Sequence, residues 1–262
     1  MKTRMPIMSA LALGALCVCA SVAPTSARAD DAASTAAIEA ALKSTARPKK
    51  DFEEDERRKA RDVLIFSGIK PGMRVADMFS AGGYYTELLS RIVGPKGKVI
   101  AYNNKEYAAF AEKEIAVRYA DNRLSNVEQV TAPVETAGLA PNSLDAVLFI
   151  MSYHDLYWRP KDGSWPATDP AVLLKQVRVA LKPGGVVIVE DHVDVAGADP
   201  LVNVDKVHRI DPARLRKDFE KAGFKFDGES KALAHPDDNH TKVVFDDSVR
   251  FKTDQVIYRF RN

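Results

Sequence analysis

The chain has 262 residues, with 38 Lys and Arg against 36 Asp and Glu, and a formal net charge of +2. This near balance excludes the broad basic field typical of nucleic-acid-binding proteins, so no nucleic-acid partner is predicted. Both cysteines, Cys17 and Cys19, lie close to the N-terminus. The rest of the chain can therefore form no disulfide, no thiolate metal site and no cysteine nucleophile.

The first 29 residues have the pattern of a secretory signal peptide. Lys2 and Arg4 precede an apolar run over residues 7–23, and Ala27-Arg28-Ala29 has the small-x-small form of a cleavage site. The run is short for a membrane span, so cleavage is favoured over a retained anchor. We therefore expect cleavage before Asp30, a periplasmic location and no stable membrane anchor afterwards. Cleavage would remove three cationic residues, Lys2, Arg4 and Arg28, and change the formal net charge to −1. The oligomeric state is left open.

The remaining chain alternates between helical and strand patterns. Residues 30–50, rich in Ala, Ser, Thr and Lys, are predicted to be a mobile leader, and residues 51–262 to be one domain. Apolar periodicity, caps and turn residues predict helices at 51–66, 84–93, 106–119, 170–181 and 211–222. Strands are predicted at 73–79, 98–102, 127–131, 144–151, 186–190, 224–230 and 253–260. The order predicts a doubly wound α/β fold with a mostly parallel seven-stranded sheet and an antiparallel C-terminal strand.

The turn after the first predicted strand is a candidate ligand site. It lies in VADMFSAGGYYTELLSRIVG, where the small residues Ser80, Ala81, Gly82 and Gly83 separate a strand from a helix. In a doubly wound sheet, ligands lie beyond the carboxyl ends of the strands, and a turn of small residues lets the backbone approach them. Asp77, at the strand end, is expected to order the turn or to contact a cationic group.

Several longer motifs carry a family resemblance. These motifs are GIKPGMRVADMFSAGGYYTELLS, SYHDLYW, LKPGGVVIVEDH, VHRIDPARLRKDFEKAGF and NHTKVVFDDSVRFKTDQVIYRF. With them the chain resembles the class I S-adenosylmethionine-dependent methyltransferases and, more narrowly, a bacterial family of exported methyltransferases of unknown acceptor. The resemblance implies a Rossmann-like methyltransferase fold and S-adenosylmethionine as cofactor.

The resemblance also implies a set of cofactor-binding residues, some of them changed in type. Asp77 matches the acidic start of the glycine-rich motif and Gly83 its third glycine, while Phe79 and Ala81 replace the first two glycines. Asn103 stands where an acid usually binds the ribose hydroxyls. Pro133 stands where an acid often contacts the adenine, and Glu135 is its expected substitute. The implied cofactor-binding residues are Asp77, Ser80, Ala81, Gly82, Gly83, Asn103 and Glu135.

Polar residues after the fourth predicted strand are candidate catalytic groups. His154, held by Asp155, would act as the general base that takes the acceptor's proton. Tyr153 is expected beside it, and with Tyr157 it would line an acceptor pocket.

Three histidines at one rim of the sheet allow a second interpretation. His154, His192 and His208 would bind a divalent metal, with Asp191 or Asp155 as a further ligand. Their spacing matches no compact metal motif, so no metal site is predicted.

The resemblance thus implies a periplasmic S-adenosylmethionine-dependent methyltransferase that acts on a small molecule. Two alternatives stay open at this point. One is a non-enzymatic binding protein on the same fold, and the other is a metal-dependent enzyme that uses the rim histidines.

Overall fold

A computed structural model describes Met1 and residues 25–262, with side chains from residue 31 onward. Most of the predicted signal peptide, residues 2–24, lies outside the described residues. Within the described part, no helix has both the length and the apolar character needed to cross a bilayer.

The described chain contains helices and strands in the predicted alternation. The helices are α1 (Thr25–Leu42), α2 (Lys49–Arg57), α3 (Ala60–Ser67), α4 (Tyr84–Val93), α5 (Lys105–Phe110), α6 (Glu112–Arg118), α7 (Pro170–Ala180), α8 (Pro200–Val207) and α9 (Pro212–Lys221). The strands are β1 (Arg74–Met78), β2 (Lys98–Asn103), β3 (Val127–Thr131), β4 (Leu144–Ile150), β5 (Leu181–His192), β6 (Lys225–Ser230) and β7 (Gln255–Arg261).

The strands form a seven-stranded sheet in the order β3-β2-β1-β4-β5-β7-β6. The pairs among β1 to β5 are parallel, whereas β7 is antiparallel to both β5 and β6. This arrangement confirms the predicted fold class. It also brings the carboxyl ends of β1, β2, β4 and β5 to one edge of the sheet, where a ligand site is expected.

Apolar layers cover both faces of the sheet, as a largely parallel sheet requires. Alternate residues of one strand face opposite layers: Val147 and Phe149 pack with Leu215 and Phe219 of α9, whereas Ala146 and Leu148 pack with Leu88 and Leu89 of α4. The sheet is therefore held rigidly between helices.

The segment predicted to be a mobile leader packs against the domain instead. Helix α1 continues to Leu42 and contacts α3 and α4, and its residues Ile38 and Ala41 are buried in the second apolar layer. Polar composition suggested mobility, whereas Ile38 and Ala41, one helical turn apart, place apolar side chains in the second layer.

Other local differences concern where elements break. The helix predicted over residues 51–66 is divided at Lys59, whose φ of 44° is left-handed. Pro183-Gly184-Gly185, which precedes the strand predicted at 186–190, lies inside β5 as an irregular insertion, because pairing with β4 moves from Leu181 to Val186. Helix α8 was not predicted.

Candidate functional site

A large cleft opens at the carboxyl edge of the sheet. Its volume is about 870 Å³, within the range of small-molecule sites. The loop from Phe79 to Gly83 forms its floor, and α2, α5 and α6 form its sides. Met151, directly after β4, completes the wall on the other side of β1. The candidate site thus lies where the fold predicts a ligand.

The loop keeps the backbone of a glycine-rich turn although two of the glycines are replaced. Phe79 and Ala81 have φ angles of 53° and 46°, in the left-handed region that glycine favours, and Gly83 has 78°. Each non-glycine residue in this region costs about 1–2 kcal/mol. Met151, across the cleft, is also left-handed with φ of 50°. Strained backbone of this kind clusters at functional sites, so its concentration around one cleft supports a binding role.

The side chain of Phe79 does not block the loop. Its ring packs against Tyr102, Tyr107 and Phe149 in the first apolar layer, and only 4% of the residue is exposed. The large residue at the first glycine position therefore anchors the turn in the core.

Asp77 orders the turn, as one of its predicted roles required. It is buried below the loop, and its carboxylate accepts a hydrogen bond of 2.6 Å from Thr86 Oγ1 in α4. Burial raises the pKa of Asp77 to about 6, although the hydrogen bonds from Thr86 oppose the rise. This contact joins the end of β1 to the first turn of α4.

The two glycines of the loop are needed for close packing against α6 and the residue that follows it. A Cβ atom at Gly82 would lie 2.5 Å from Glu114 Cβ, and one at Gly83 would lie 2.6 Å from Tyr119 Oη. Both contacts are shorter than real Cβ atoms tolerate. The small residues thus serve contacts within the protein as well as access to the cleft.

Arg118 is a positioning residue that the sequence analysis missed. Its side chain is almost fully buried, and its Nε donates to the carbonyl oxygen of Gly82 at 2.9 Å. The guanidinium also pairs with Asp51 in α2 and with Glu87 in α4. Burial alone would raise the pKa of Glu87, but the hydrogen bonds from Arg123, Arg91 and Arg118 outweigh it and lower the pKa to about 2. A buried charge network thus ties the loop to three helices.

Asn103 has a different role from the predicted ribose contact. Its Oδ1 accepts from the Ala81 backbone N–H at 2.9 Å, and its Nδ2 donates to the Ala81 carbonyl oxygen at 3.3 Å. Each half of the amide thus makes one bond to the loop, and Asn103 lines a separate pocket of about 260 Å³ rather than the large cleft. Glu135, the expected adenine contact, is exposed and also lies outside the lining of the large cleft.

Because Asn103 supports the loop by a paired donor and acceptor, Asn103→Asp is expected to destabilise the protein. The carboxylate would lose the donor and face the Ala81 carbonyl, at a cost of about 1–3 kcal/mol in the free energy of unfolding. Chemical denaturation measures this cost.

Asn104→Asp is the matched control for this change, since Asn104 caps α5 by accepting from the Tyr107 N–H and Asp caps equally well. Equal denaturation midpoints for the two variants would contradict the role of Asn103 as a support of the loop.

The predicted catalytic residues lie away from the cleft. Tyr153 is 0% exposed, donates to Asp218 at 3.2 Å and packs against Phe149 and Phe219. It is a core residue, because the chain turns inward after β4. His154 is also buried and is absent from the lining of the cleft.

His154 is held between two carboxylates. Its Nδ1 lies 2.6 Å from Asp191 Oδ1, and its Nε2 lies 3.3 Å from Asp155 Oδ1. Burial lowers the pKa of His154, but the charges of Asp155 and Asp191 outweigh burial and raise it well above its ordinary value. His154 was expected to act as the general base with Asp155, whereas the structure holds it between two carboxylates and outside the lining of the cleft.

Tyr107 connects the cleft to Asp155. Tyr107 lines the cleft and donates its Oη proton to the Asp155 carboxylate. Burial tends to raise the pKa of Asp155, but the His154 charge and the contacts with His154 and Tyr107 lower it below its usual range.

A smaller chamber of about 180 Å³ shares Arg57, Arg58 and Met151 with the cleft wall and contains Glu190 and His192. Glu190 is 1% exposed, and its Oε2 has no hydrogen-bond partner among the described residues. Burial raises the pKa of Glu190 to about 8, although the charge of Arg58 opposes the rise. Glu190 is thus a carboxyl group poised to exchange a proton near neutral pH.

His192 faces the same chamber. Its Nδ1 lies 2.9 Å from Thr253 Oγ1, and burial lowers its pKa to about 3, so the ring is neutral. The sequence analysis placed His192 at the rim of the sheet. It did not identify the nearby Glu190 as a site residue, because Glu190 has the pattern of the end of a buried strand. An ionisable residue inside an otherwise apolar run was the available signal.

Comparisons with known proteins identify relatives of this chain. A family model described as a methyltransferase domain matches residues 69–241. The chain is 27% identical over 130 residues to a ubiquinone/menaquinone biosynthesis C-methyltransferase of Shewanella oneidensis. That alignment covers 49% of this chain and 46% of the relative, so the chain matches about half of that protein's length.

Two solved structures show the likeness in fold. A S-adenosylmethionine-dependent methyltransferase from Aquifex aeolicus has a TM-score of 0.57 and 20% identity, with 82% of this chain and 98% of the other covered. The [4+2]-cyclase SpnF has a TM-score of 0.56 and 15% identity, with 92% of this chain and 97% of the other covered. One architecture therefore accommodates more than one reaction.

Proposed function

The chain belongs to the methyltransferase domain family, and from this premise we propose that it transfers the methyl group of S-adenosylmethionine to a small molecule in the periplasm. The observation that carries the proposal is the cleft over the strained loop from Phe79 to Gly83, which shares wall residues with the chamber of Glu190.

S-adenosylmethionine is the cofactor of this family, and the residues of the cleft fit it. The cleft is large enough for a nucleoside with an amino-acid arm. Ser80 Oγ is buried without a hydrogen-bond partner among the described residues, so the loop offers a polar atom that a ligand would satisfy. Asp77, Ser80, Ala81, Gly82 and Gly83 all line the cleft and would hold the cofactor.

The cofactor supplies a methyl group that is already activated as part of a sulfonium. The chain's own contribution is therefore mainly to orient the two reactants and to exclude water. An acceptor that loses a proton on methylation also needs a base. Glu190 is the candidate, because its carboxyl group has an unpaired oxygen in the chamber beside the cleft.

The size of the Glu190 chamber supports a small acceptor. Its volume of about 180 Å³ holds a compact organic molecule but not a folded macromolecular segment. The test is to incubate the protein and S-adenosylmethionine labelled in the methyl group with a periplasmic extract, followed by acid precipitation. The label is expected in a soluble small molecule that chromatography separates from unreacted S-adenosylmethionine, and its recovery in the precipitate instead would contradict the proposal.

The proposed location depends on the N-terminal signal. Cleavage after Ala29 would leave the part of α1 that carries Ile38 and Ala41, so the helix would keep its buried contacts. We expect exported protein to begin at Asp30, as measured by N-terminal sequencing, and expect Ala29→Arg to block processing by removing the small residue. Exported protein that still begins at Met1 would count against this location.

A further inference from the structure

We propose that His154, Asp155 and His208 form a binding site for a divalent first-row transition-metal ion. Each of these residues offers one ligand atom, and within the described part of the chain the three atoms lie within 4.8 Å of one another. The sequence analysis predicted no metal site, and its alternative included His192. The structure groups a different set of residues. The metal-site proposal depends on no feature of the methyl-transfer proposal.

The distances among the ligand atoms fit a shared metal ion. Asp155 Oδ1 lies 3.3 Å from His154 Nε2 and 3.9 Å from His208 Nε2. Metal bonds to imidazole nitrogen and carboxylate oxygen are about 2.0–2.2 Å, so two ligands of one ion lie roughly 3–4 Å apart. The two separations fall in this range, whereas 3.9 Å is too long for a direct hydrogen bond.

The outward contacts of the two histidines indicate that the Nε2 of each ring would face the metal ion, and the Nε2 of His154 would lose its proton when the ion binds. His208 Nδ1 lies 2.9 Å from the Val204 carbonyl oxygen, which can only accept, so Nδ1 carries the proton. In the neutral ring, His208 Nε2 then presents a lone pair towards Asp155. The Nδ1 of His154 meets the carboxylate of Asp191 at 2.6 Å. Carboxylate and carbonyl partners of this kind are the usual supports of metal-binding histidines.

Asp155 supplies an independent observation that points to a ligand. Its Oδ1 is buried, and the 3.3 Å contact with His154 Nε2 lacks hydrogen-bond geometry, whereas its other oxygen accepts from Tyr107. Asp191 adds a second buried carboxylate, and the buried Arg209 nearby is committed to Asp238. A divalent cation would satisfy Asp155 Oδ1 and offset the excess of buried negative charge.

The donor set indicates the class of metal. Two imidazoles and one carboxylate suit zinc, iron, nickel or copper, whereas magnesium and calcium prefer oxygen ligands only. The side chains of His154, Asp155 and His208 are 4%, 12% and 18% exposed, so the site is nearly enclosed but can be reached past His208.

The test is calorimetric titration of chelator-treated protein with Zn²⁺, compared with Mg²⁺. We expect one Zn²⁺ per chain, no comparable heat from Mg²⁺, and a higher thermal unfolding midpoint with Zn²⁺. In His208→Asn the Zn²⁺ affinity should fall at least tenfold and the thermal shift should disappear. Asn tolerates the left-handed φ of 53° at this position.

His240→Asn is the matched control, because His240 also has a left-handed φ, 62°, and contacts a carboxylate, Asp254. It should bind Zn²⁺ as wild type does. If His208→Asn does not fold, Asp155→Asn replaces it with the same expectation. Absence of Zn²⁺ binding by wild type, or equal binding by the His208 and His240 variants, would overturn the proposal.

Discussion

Replacing Glu190 with Gln is expected to make the protein more stable at pH 8 than wild type and to reduce the dependence of its stability on pH. The pKa of Glu190 is raised to about 8 in the folded state from 4.5, because the carboxyl group is buried. Between these values the folded chain holds a proton that the unfolded chain has lost. The contribution of Glu190 to stability is therefore complete below pH 4.5 and is lost as the pH rises through 8.

The expected size follows from the pKa difference. From pH 5 to pH 8, the wild type should lose on the order of 3 kcal/mol of unfolding free energy through Glu190. Chemical denaturation at the two pH values measures the loss, and Glu190→Gln should lack it because an amide does not ionise. Glu53→Gln, at an exposed glutamate, is the control and should behave as wild type. A Glu190→Gln variant with the full wild-type pH dependence would contradict the burial of an unpaired carboxyl group.

Replacing Arg118 with Leu is expected to destabilise the protein by about 3–5 kcal/mol. The guanidinium pairs with the buried carboxylates of Asp51 and Glu87, and Leu cannot compensate either charge. Glu87 retains Arg91 and Arg123, so Asp51 carries most of the penalty. Loss of the bond to the Gly82 carbonyl should also loosen the loop and weaken cofactor binding.

Arg91→Leu is the matched control, because it removes a more exposed partner of the same Glu87 carboxylate from the surface of α4. It should cost about 1 kcal/mol or less. Denaturant midpoints of both variants provide the measurement. Equal losses of unfolding free energy in the two variants would mean that the Arg118 network contributes no more to stability than a surface ion pair.

The helices and strands that were predicted well are those whose sequence signals lie within a few residues of one another. Helix α4 and strand β3 were predicted at their observed limits, since each has a clear apolar pattern with turn residues beside it. Asp211 caps α9 by accepting from the Ala213 N–H, as its position before Pro212 indicated. The same signal, Asp199 followed by Pro200, begins α8 and was overlooked.

The site was harder to predict because its contacts join distant parts of the chain. Arg118 meets Asp51 across 67 residues, and no local pattern indicates that pairing. Asn103 was placed correctly beside the loop, but its amide bonds the Ala81 backbone, which a residue-by-residue comparison with a motif does not reveal. His154 and His208 meet only because the fold brings the end of α8 against the segment after β4.

The most direct test of the account is calorimetric titration of the wild-type protein with S-adenosylmethionine and S-adenosylhomocysteine. The cleft over Phe79 to Gly83 predicts one binding site per chain for each ligand. Loss of the loop bond in Arg118→Leu should weaken both ligands alike, since the two differ only at the sulfur, where S-adenosylmethionine carries the methyl group and a positive charge. Absence of binding heat with either ligand, in wild-type protein that is shown to be folded, would contradict the assignment of the cleft as the cofactor site.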